Sequence, residues 1–268
     1  MTETSVTEHD DRHEPGTVEP EFKAEVDKLL HSFVRRFYKE VPGADHLLQD
    51  KQINLGYYRR HVIEIILRLR MKRWIDALTI HYFCKHDPRL AKKWSAYTED
   101  EMLHDGMFAK DLEKVGVSRE EIYASEPLFS TKLLQGYFYY GLEHEGRPLA
   151  SLASSYFIEN ISLLTQPDWV QNVESVLGDG MTRGQQAHID HDLEDDHSDF
   201  VWNVLMTFVK SDDDKRRIVD HITNVYRLFC ACYTEMYELY GKDDGDAERE
   251  SSGQTDPAVA IVRQLVTG

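Results

Sequence analysis

Residues 188–200 read "HIDHDLEDDHSDF", with three histidines, five aspartates and one glutamate in thirteen positions. Composition alone cannot tell a solvated charge run from a functional face. Placed on a helix at about 100° per residue, it divides into two faces. With Asp190 as zero, Glu194 falls near +40° and His197 near −20°. Val201, Leu205 and Phe208 continue that stripe toward the C-terminus. Asp192, Asp195, Asp196 and Asp199 lie outside the arc, His188 is opposite Asp190, and His191 sits on the border about 60° from Glu194. One helix over 184–210 would therefore turn Asp190, Glu194 and His197 inward. A carboxylate taken from water loses many kcal/mol of solvation unless it is protonated or partnered, so this placement asks for a compensating charge.

The same anomaly occurs twice more. Trp94, Tyr97, Phe108 and Leu112 form an apolar stripe that contains Glu101, with His104 about 60° away on the same side. Leu152, Tyr156 and Leu163 form another, and Glu159 lies inside it. No matching run of basic residues accompanies these acids, so a metal cation is the expected partner. Oxygen and imidazole donors without thiolate suit iron or manganese better than zinc. The pairs Glu101-x-x-His104 and Glu194-x-x-His197 each place a carboxylate and an imidazole one turn apart, as when one carboxylate bridges two metals. A single E-x-x-H is usually a surface pair, and a lone Glu on an apolar stripe is often an edge residue whose head reaches water. The conjunction of two copies with an inward Glu between them carries the argument. His191 is left open as a ligand or as a group that supports one.

Outward from these segments the chain reads as one helix after another. Helices are expected over 21–41, stopping at Pro42-Gly43, over 55–84, and over 90–115. Others are expected over 127–144 and 148–165, with a short one over 167–177. Ser118 opens a short turn with Glu121 at the third position, and Ser211 caps a last helix to about Tyr240. No alternating strand pattern and no repeat of 20–50 residues is visible. The expected fold is all-α, a bundle of seven to nine helices over residues 21–241. It is flanked by acidic tails over 1–20 and 242–268 that are expected to be disordered.

The chain of 268 residues has a net charge of −17, of which the stretches 1–20 and 242–256 carry −5 and −4. This balance argues against nucleic acid and anionic membrane surfaces as partners. No run is long and apolar enough for a membrane span, and residues 1–20 do not read as a signal peptide. Three cysteines in apolar helical contexts leave one over after any pairing, which points to a reduced, cytoplasmic protein.

The segments "AKKWSAYTEDEMLHD", "SSYFIENISLL" and "HIDHDLEDDHSDFVWNVL" resemble, in order and separation, those of the haem-oxygenase-like diiron oxidases. The similarity spans roughly residues 50–240 and is nearest to the members that convert medium-chain fatty acids to terminal alkenes. It implies a haem-oxygenase-like helical fold that binds two Fe ions rather than haem, with O2 as cosubstrate and Mn as the alternative metal. The implied ligands are Glu101, His104, Glu159 and the cluster Asp190, His191, Glu194 and His197. The family pattern there is His-x-x-x-Asp-x-x-His, whereas the matching frame here reads Asp190-x-x-x-Glu194-x-x-His197, an oxygen donor in place of a nitrogen one. A ferritin-like four-helix bundle is the alternative fold; it would need a further carboxylate from Glu64 or Asp76.

The expected activity is O2-dependent oxidation of a small organic substrate, by desaturation or C–C cleavage of a fatty-acid- or amino-acid-like acid, in specialised metabolism. N-oxygenation of an amine on the same site, and a non-enzymatic metal-binding protein, are the alternatives. Tyr97, Phe108 and Tyr156 are expected to line the substrate cavity and Arg68 to hold a substrate carboxylate. An external electron donor and a homodimer complete the expectation.

Overall fold

The computed structural model describes residues 20–48, 53–195 and 197–241; the side chains of Leu47 and of residues 193–195 lie outside that description. Both acidic tails therefore lie outside the described residues. The described residues form helices joined by short turns, with no strand among them. In chain order these are α1 (Pro20–Glu40), α2 (Leu55–His86), α3 (Pro88–Glu101), α4 (Asp105–Lys114), α5 (Arg119–Ala124), α6 (Phe129–Glu143), α7 (Leu149–Leu177), α8 (Arg183–Asp195), α9 (His197–Met206) and α10 (Asp212–Tyr240). A 3₁₀ turn at His46–Leu48 precedes α2. None of these helices is long and apolar enough to cross a membrane.

Local chemistry sets most boundaries. Asn54, Asp87, Ser118 and Ser211 each cap a helix by accepting a backbone N–H of its first turn. Pro88 then opens α3, where its missing N–H costs nothing. Two expected boundaries differ. The helix expected over 90–115 is interrupted at 102–104, where backbone bonds tighten to the third residue, as in His104 N–H to Glu101 O at 3.5 Å and Met107 N–H to His104 O at 3.0 Å. The helices expected over 148–165 and 167–177 are one, α7, with Pro167 inside it. Pro removes a helical donor, but α7 packs against α1, α6, α8, α9 and α10. Leu152, Tyr156, Glu159 and Thr165 before Pro167 and Trp169, Val170 and Val173 after it are buried. Tertiary packing overrides the local break.

α7 is thus the central post. One apolar core gathers α1, the end of α2, α3, α7, α9 and the start of α10 around Trp94, Tyr156 and Trp202. A second joins the first half of α2 to α4 and the end of α10 around Tyr57, Tyr58, Phe108 and Leu112. Buried acids tie segments together between them. Glu64 binds Arg60, the Thr131 hydroxyl and the Leu128 N–H, so it anchors the start of α6. Asp111, fully buried on α4, accepts the N–H groups of Gly184 and Gln185 at 3.0 and 2.9 Å and so sets the start of α8. Gly184 is required there, since a Cβ would lie 2.1 Å from the Met107 carbonyl oxygen.

Candidate metal centre

Glu101 ends α3, and His104 stands at the entrance to α4 on the tightened turn between them. Both are buried. Glu101 Oε2 lies 3.3 Å from His104 Nδ1, and Glu101 Oε1 lies 3.4 Å from Nδ1 of His197, the first residue of α9. Each carboxylate oxygen is thus presented to a different histidine. Two ligand groups follow, both containing Glu101. Glu101, His104 and His188 bring donor atoms within 4.8 Å of one another, and so do Glu101, Glu159 and His197.

His188 and Asp192 extend the first group. They lie one turn apart on α8, both buried, with His188 Nδ1 3.1 Å from Asp192 Oδ2. Supporting bonds surround the cluster. Tyr97 donates its hydroxyl to Glu159 Oε1 at 2.5 Å. His197 Nε2 lies 3.0 Å from Asp100 Oδ2. With the proton on Nε2, the Nδ1 lone pair of His197 is left facing Glu101 and Glu159, the arrangement in which an outer carboxylate orients a metal-binding imidazole.

The donor atoms are short of partners. Glu101 Oε1, His104 Nδ1, His188 Nδ1, Asp192 Oδ1 and His197 Nδ1 are all buried without a hydrogen bond. Buried polar groups are paired in the great majority of cases, so five orphans in one cluster require an explanation. They approach at ion-pair distance but out of line for hydrogen bonding, as lone pairs do when they converge on a common centre. A metal pair fits this donor set of three carboxylates and three imidazoles. No cysteine belongs to either group, and the oxygen and nitrogen donors suit iron or manganese.

The electrostatics agree. Burial, together with the charges of Glu101 and Asp192, raises the Glu159 carboxyl to about 7. Glu101 goes the other way: burial would raise it, but His104, His197 and the Lys72 ammonium hold it well below the usual carboxylate range. Burial would lower His197, yet contact with Glu101 and the charge of Glu159 lift it to about 9. Protonated imidazole balances the carboxylates where a cation would otherwise do so.

Not every sequence-derived residue belongs here. Glu101, His104, Glu159 and His197 come together. Asp190 does not: it is exposed, and its Oδ1 accepts from Gln186 Nε2 at 2.8 Å. His188 and Asp192, expected on the outer face, are the buried pair instead. The cause is the phase of the helix. One uniform frame with Asp190 at zero turns Asp190, Glu194 and His197 inward together, whereas on α8 His188 and Asp192 are buried and Asp190 is exposed. At a uniform 100° per residue Asp192 and His197 would stand about 140° apart, so a single frame cannot turn both inward. His188-x-x-x-Asp192 thus supplies a nitrogen and an oxygen donor one turn apart where Asp190 was expected. The side chain of Glu194 lies outside the described residues. His191 lies beside the cluster, with Nε2 3.3 Å from Asp100 Oδ2.

A cavity of about 160 Å³ lies between α1, α2, α6, α7 and α10. Phe33, Phe37, Ile75, Leu134, Phe157 and Phe229 give it an apolar lining, and Ser151, Ser154, Ser155 and Ser162 of α7 form a hydroxyl wall. Ser155 and Ser162 stand four residues before and three after Glu159 on the same face of α7, although Glu159 and the other cluster residues are not themselves in the lining. Lys72 of the lining connects the two, paired with Asp76 at 2.6 Å and 4.5 Å from the centre of the Tyr97 ring, whose hydroxyl binds Glu159. Arg68 lines the cavity as expected. Tyr97 donates to Glu159, Phe108 packs on His188 at 5.2 Å, and Tyr156 donates to Asp27 and packs on Trp202; none of the three is part of the lining. Because α7 is buried nearly all round, its apolar stripe does not mark the cavity side. Glu64 and Asp76 hold α6 and Lys72 respectively, which removes both candidates for the extra ligand of a ferritin-like site.

No protein-family profile and no curated protein matches the sequence. A solved structure does: a domain of unknown function with a heme oxygenase-like fold from Shewanella denitrificans OS217. It superposes with a TM-score of 0.72 at 19% identity, covering 82% of this chain and 93% of that one. The chain therefore has a haem-oxygenase-like fold, and that fold carries a carboxylate–histidine cluster able to hold metal.

Proposed function

We propose that this protein is an O2-dependent dimetal oxidase acting on a small amphipathic organic acid. The observation that carries the reading is Glu101, whose two oxygens face histidines of two separate ligand groups, as a bridging carboxylate would. Two bound ferrous ions would supply the electrons and open coordination positions for reaction with O2.

The chain's own residues do the rest. Glu101, His104, His188 and Asp192 would hold one ion, and Glu101, Glu159 and His197 the other. Tyr97 fixes Glu159, and Asp100 fixes the tautomer of His197. The apolar cavity excludes water and orients the substrate. Arg68 has no carboxylate partner among the described residues: its guanidinium meets only the Cys232 thiol at 3.4 Å and the Phe229 ring at 5.1 Å. Such a cation favours a carboxylate on the ligand. Arg68 stands one helical turn, about 6 Å, from Lys72. An acid held there extends its carbon chain toward Tyr97 and Glu159, where desaturation or C–C cleavage would occur. The hydroxyl wall of α7 could equally hydrogen-bond an amine, which keeps N-oxygenation as the second reading.

Anaerobic titration with Fe(II) tests this. Saturation is expected at two ions per chain, and O2 should then produce a transient visible absorption band that Glu159→Ala abolishes. Iron binding at only trace levels would defeat the proposal. Two ions with no O2 reaction in the presence of acid substrates would leave a metal-binding protein without this activity.

A further inference from the structure

One group of donor atoms reaches beyond the dimetal assignment. Asp100, His191 and His197 place one ligand atom each within 4.8 Å of one another. Asp100 Oδ2 is 3.0 Å from His197 Nε2 and 3.3 Å from His191 Nε2. This group faces solvent, the Asp100 and His191 side chains being 41% and 30% exposed. Both line an open surface cleft together with Glu99, Leu103, His104 and Met107.

The cleft leads inward. His104 forms part of its wall although it is only 3% exposed, and its Nδ1 has no hydrogen-bond partner. The ring of His191 lies 5.1 Å from that of His104, which lies 4.8 Å from that of the buried His188. His197 belongs to both levels, with Nε2 in the outer group and Nδ1 toward Glu101. The route past the substrate cavity differs: its lining is mainly apolar and its only cationic groups, Arg68 and Lys72, repel a metal ion. Of these two routes, the acidic cleft with imidazole donors at its base is the one that suits a hydrated divalent cation.

We infer that Asp100, His191 and the Nε2 side of His197 form a capture site through which divalent cations reach the buried centre. This rests on the dimetal reading above. The carboxylate of Asp100 and the imidazole of His191 replace water ligands on the incoming ion. His104 then receives it from the cleft side and passes it to the Glu101 group. Binding at nitrogen requires the neutral imidazole, and the displaced protons leave to solvent through the open cleft. Once the inner positions fill, Asp100 returns to orienting His197, so one carboxylate serves loading first and ligand geometry afterwards.

Loading kinetics separate capture from a purely structural role. Stopped-flow mixing of the metal-free protein with Co(II), followed by visible absorption, should give a loading rate about tenfold or more slower in His191→Ala than in wild type. Final stoichiometry should remain at two ions and equilibrium affinity should stay close to wild type. Glu99→Lys, which removes no ligand and reverses a charge at the exposed mouth, should slow loading as well, and added salt should narrow its difference from wild type. Wild-type loading rates in both variants would overturn the capture site while leaving the dimetal reading intact. Absence of Co(II) binding to the wild type would overturn both.

Discussion

His188 and Asp192 stand one turn apart on α8 with Nδ1 and Oδ2 separated by 3.1 Å, both buried, while Asp190 between them is exposed. This relationship makes a sharp test of the ligand set. Asp190→Ala should leave the number of bound metal ions and their affinity unchanged. His188→Ala and Asp192→Ala should each weaken binding by more than the 10- to 100-fold typical of losing an outer supporting group. Isothermal titration with Mn(II) under nitrogen measures all three. Normal binding in His188→Ala would remove it from the site.

The hydroxyl of Tyr97 reaches across 62 positions to Glu159 and belongs to neither ligand group. Tyr97→Phe keeps the ring, its tilted contact with Trp94 at 4.8 Å and its contact with Lys72, and removes one donor. The variant should fold with an unchanged far-ultraviolet spectrum and bind metal about 10- to 100-fold more weakly. Unchanged affinity would show that Glu159 needs no partner to hold its position.

The sequence was most legible where periodicity was local. The all-α fold, the serine caps at 118 and 211, and the inward turn of Glu101, His104, Glu159 and His197 all follow from 3.6-residue spacing within single helices. What failed depended on one frame serving the whole stretch 184–210. A single frame with Asp190 at zero turns Asp190 and His197 inward and His188 outward, whereas His188 and Asp192 are the buried pair of α8. A frame confined to α8 would have found His188-x-x-x-Asp192 as an i,i+4 pair. Tyr156 misled for another reason, since a helix buried on all sides has no apolar stripe that identifies one neighbour. The cavity itself is formed by residues from five helices, and no spacing within one segment encodes it.

Gly184 offers a test of how the scaffold positions the ligands. Its backbone lies against α4 so closely that a Cβ would meet the Met107 carbonyl oxygen at 2.1 Å and the carbonyl carbon at 2.6 Å. Backbone atoms cannot turn aside as a side chain does. Gly184→Ala should therefore push α8 away from α4 and cost about 1–3 kcal/mol, the usual range for overpacking. Because His188 and Asp192 ride on α8, metal affinity should fall together with the melting temperature. Gly136→Ala, with nothing within 4 Å of the added Cβ, is the control and should leave affinity unchanged.

His61 gives stability a pH dependence independent of the metal ligands. It is buried on α2, its Nε2 lies 2.8 Å from the Tyr233 hydroxyl, and its Nδ1 has no hydrogen-bond partner. Burial first, and the Arg68 charge second, lower it from 6.5 to about 3. The unfolded chain therefore takes up a proton below pH 6.5 that the folded one refuses. The stabilisation is complete above about pH 6.5 and is lost as pH falls toward 3, at about 1.4 kcal/mol per pH unit. Between pH 6.5 and 5 the loss should reach roughly 2 kcal/mol. His61→Gln keeps a hydrogen-bonding group for Tyr233 but cannot titrate. Urea unfolding of both proteins across this range should show a steeper acid-side decline in the wild type, and parallel curves would mean that His61 takes up its proton without loss of the fold.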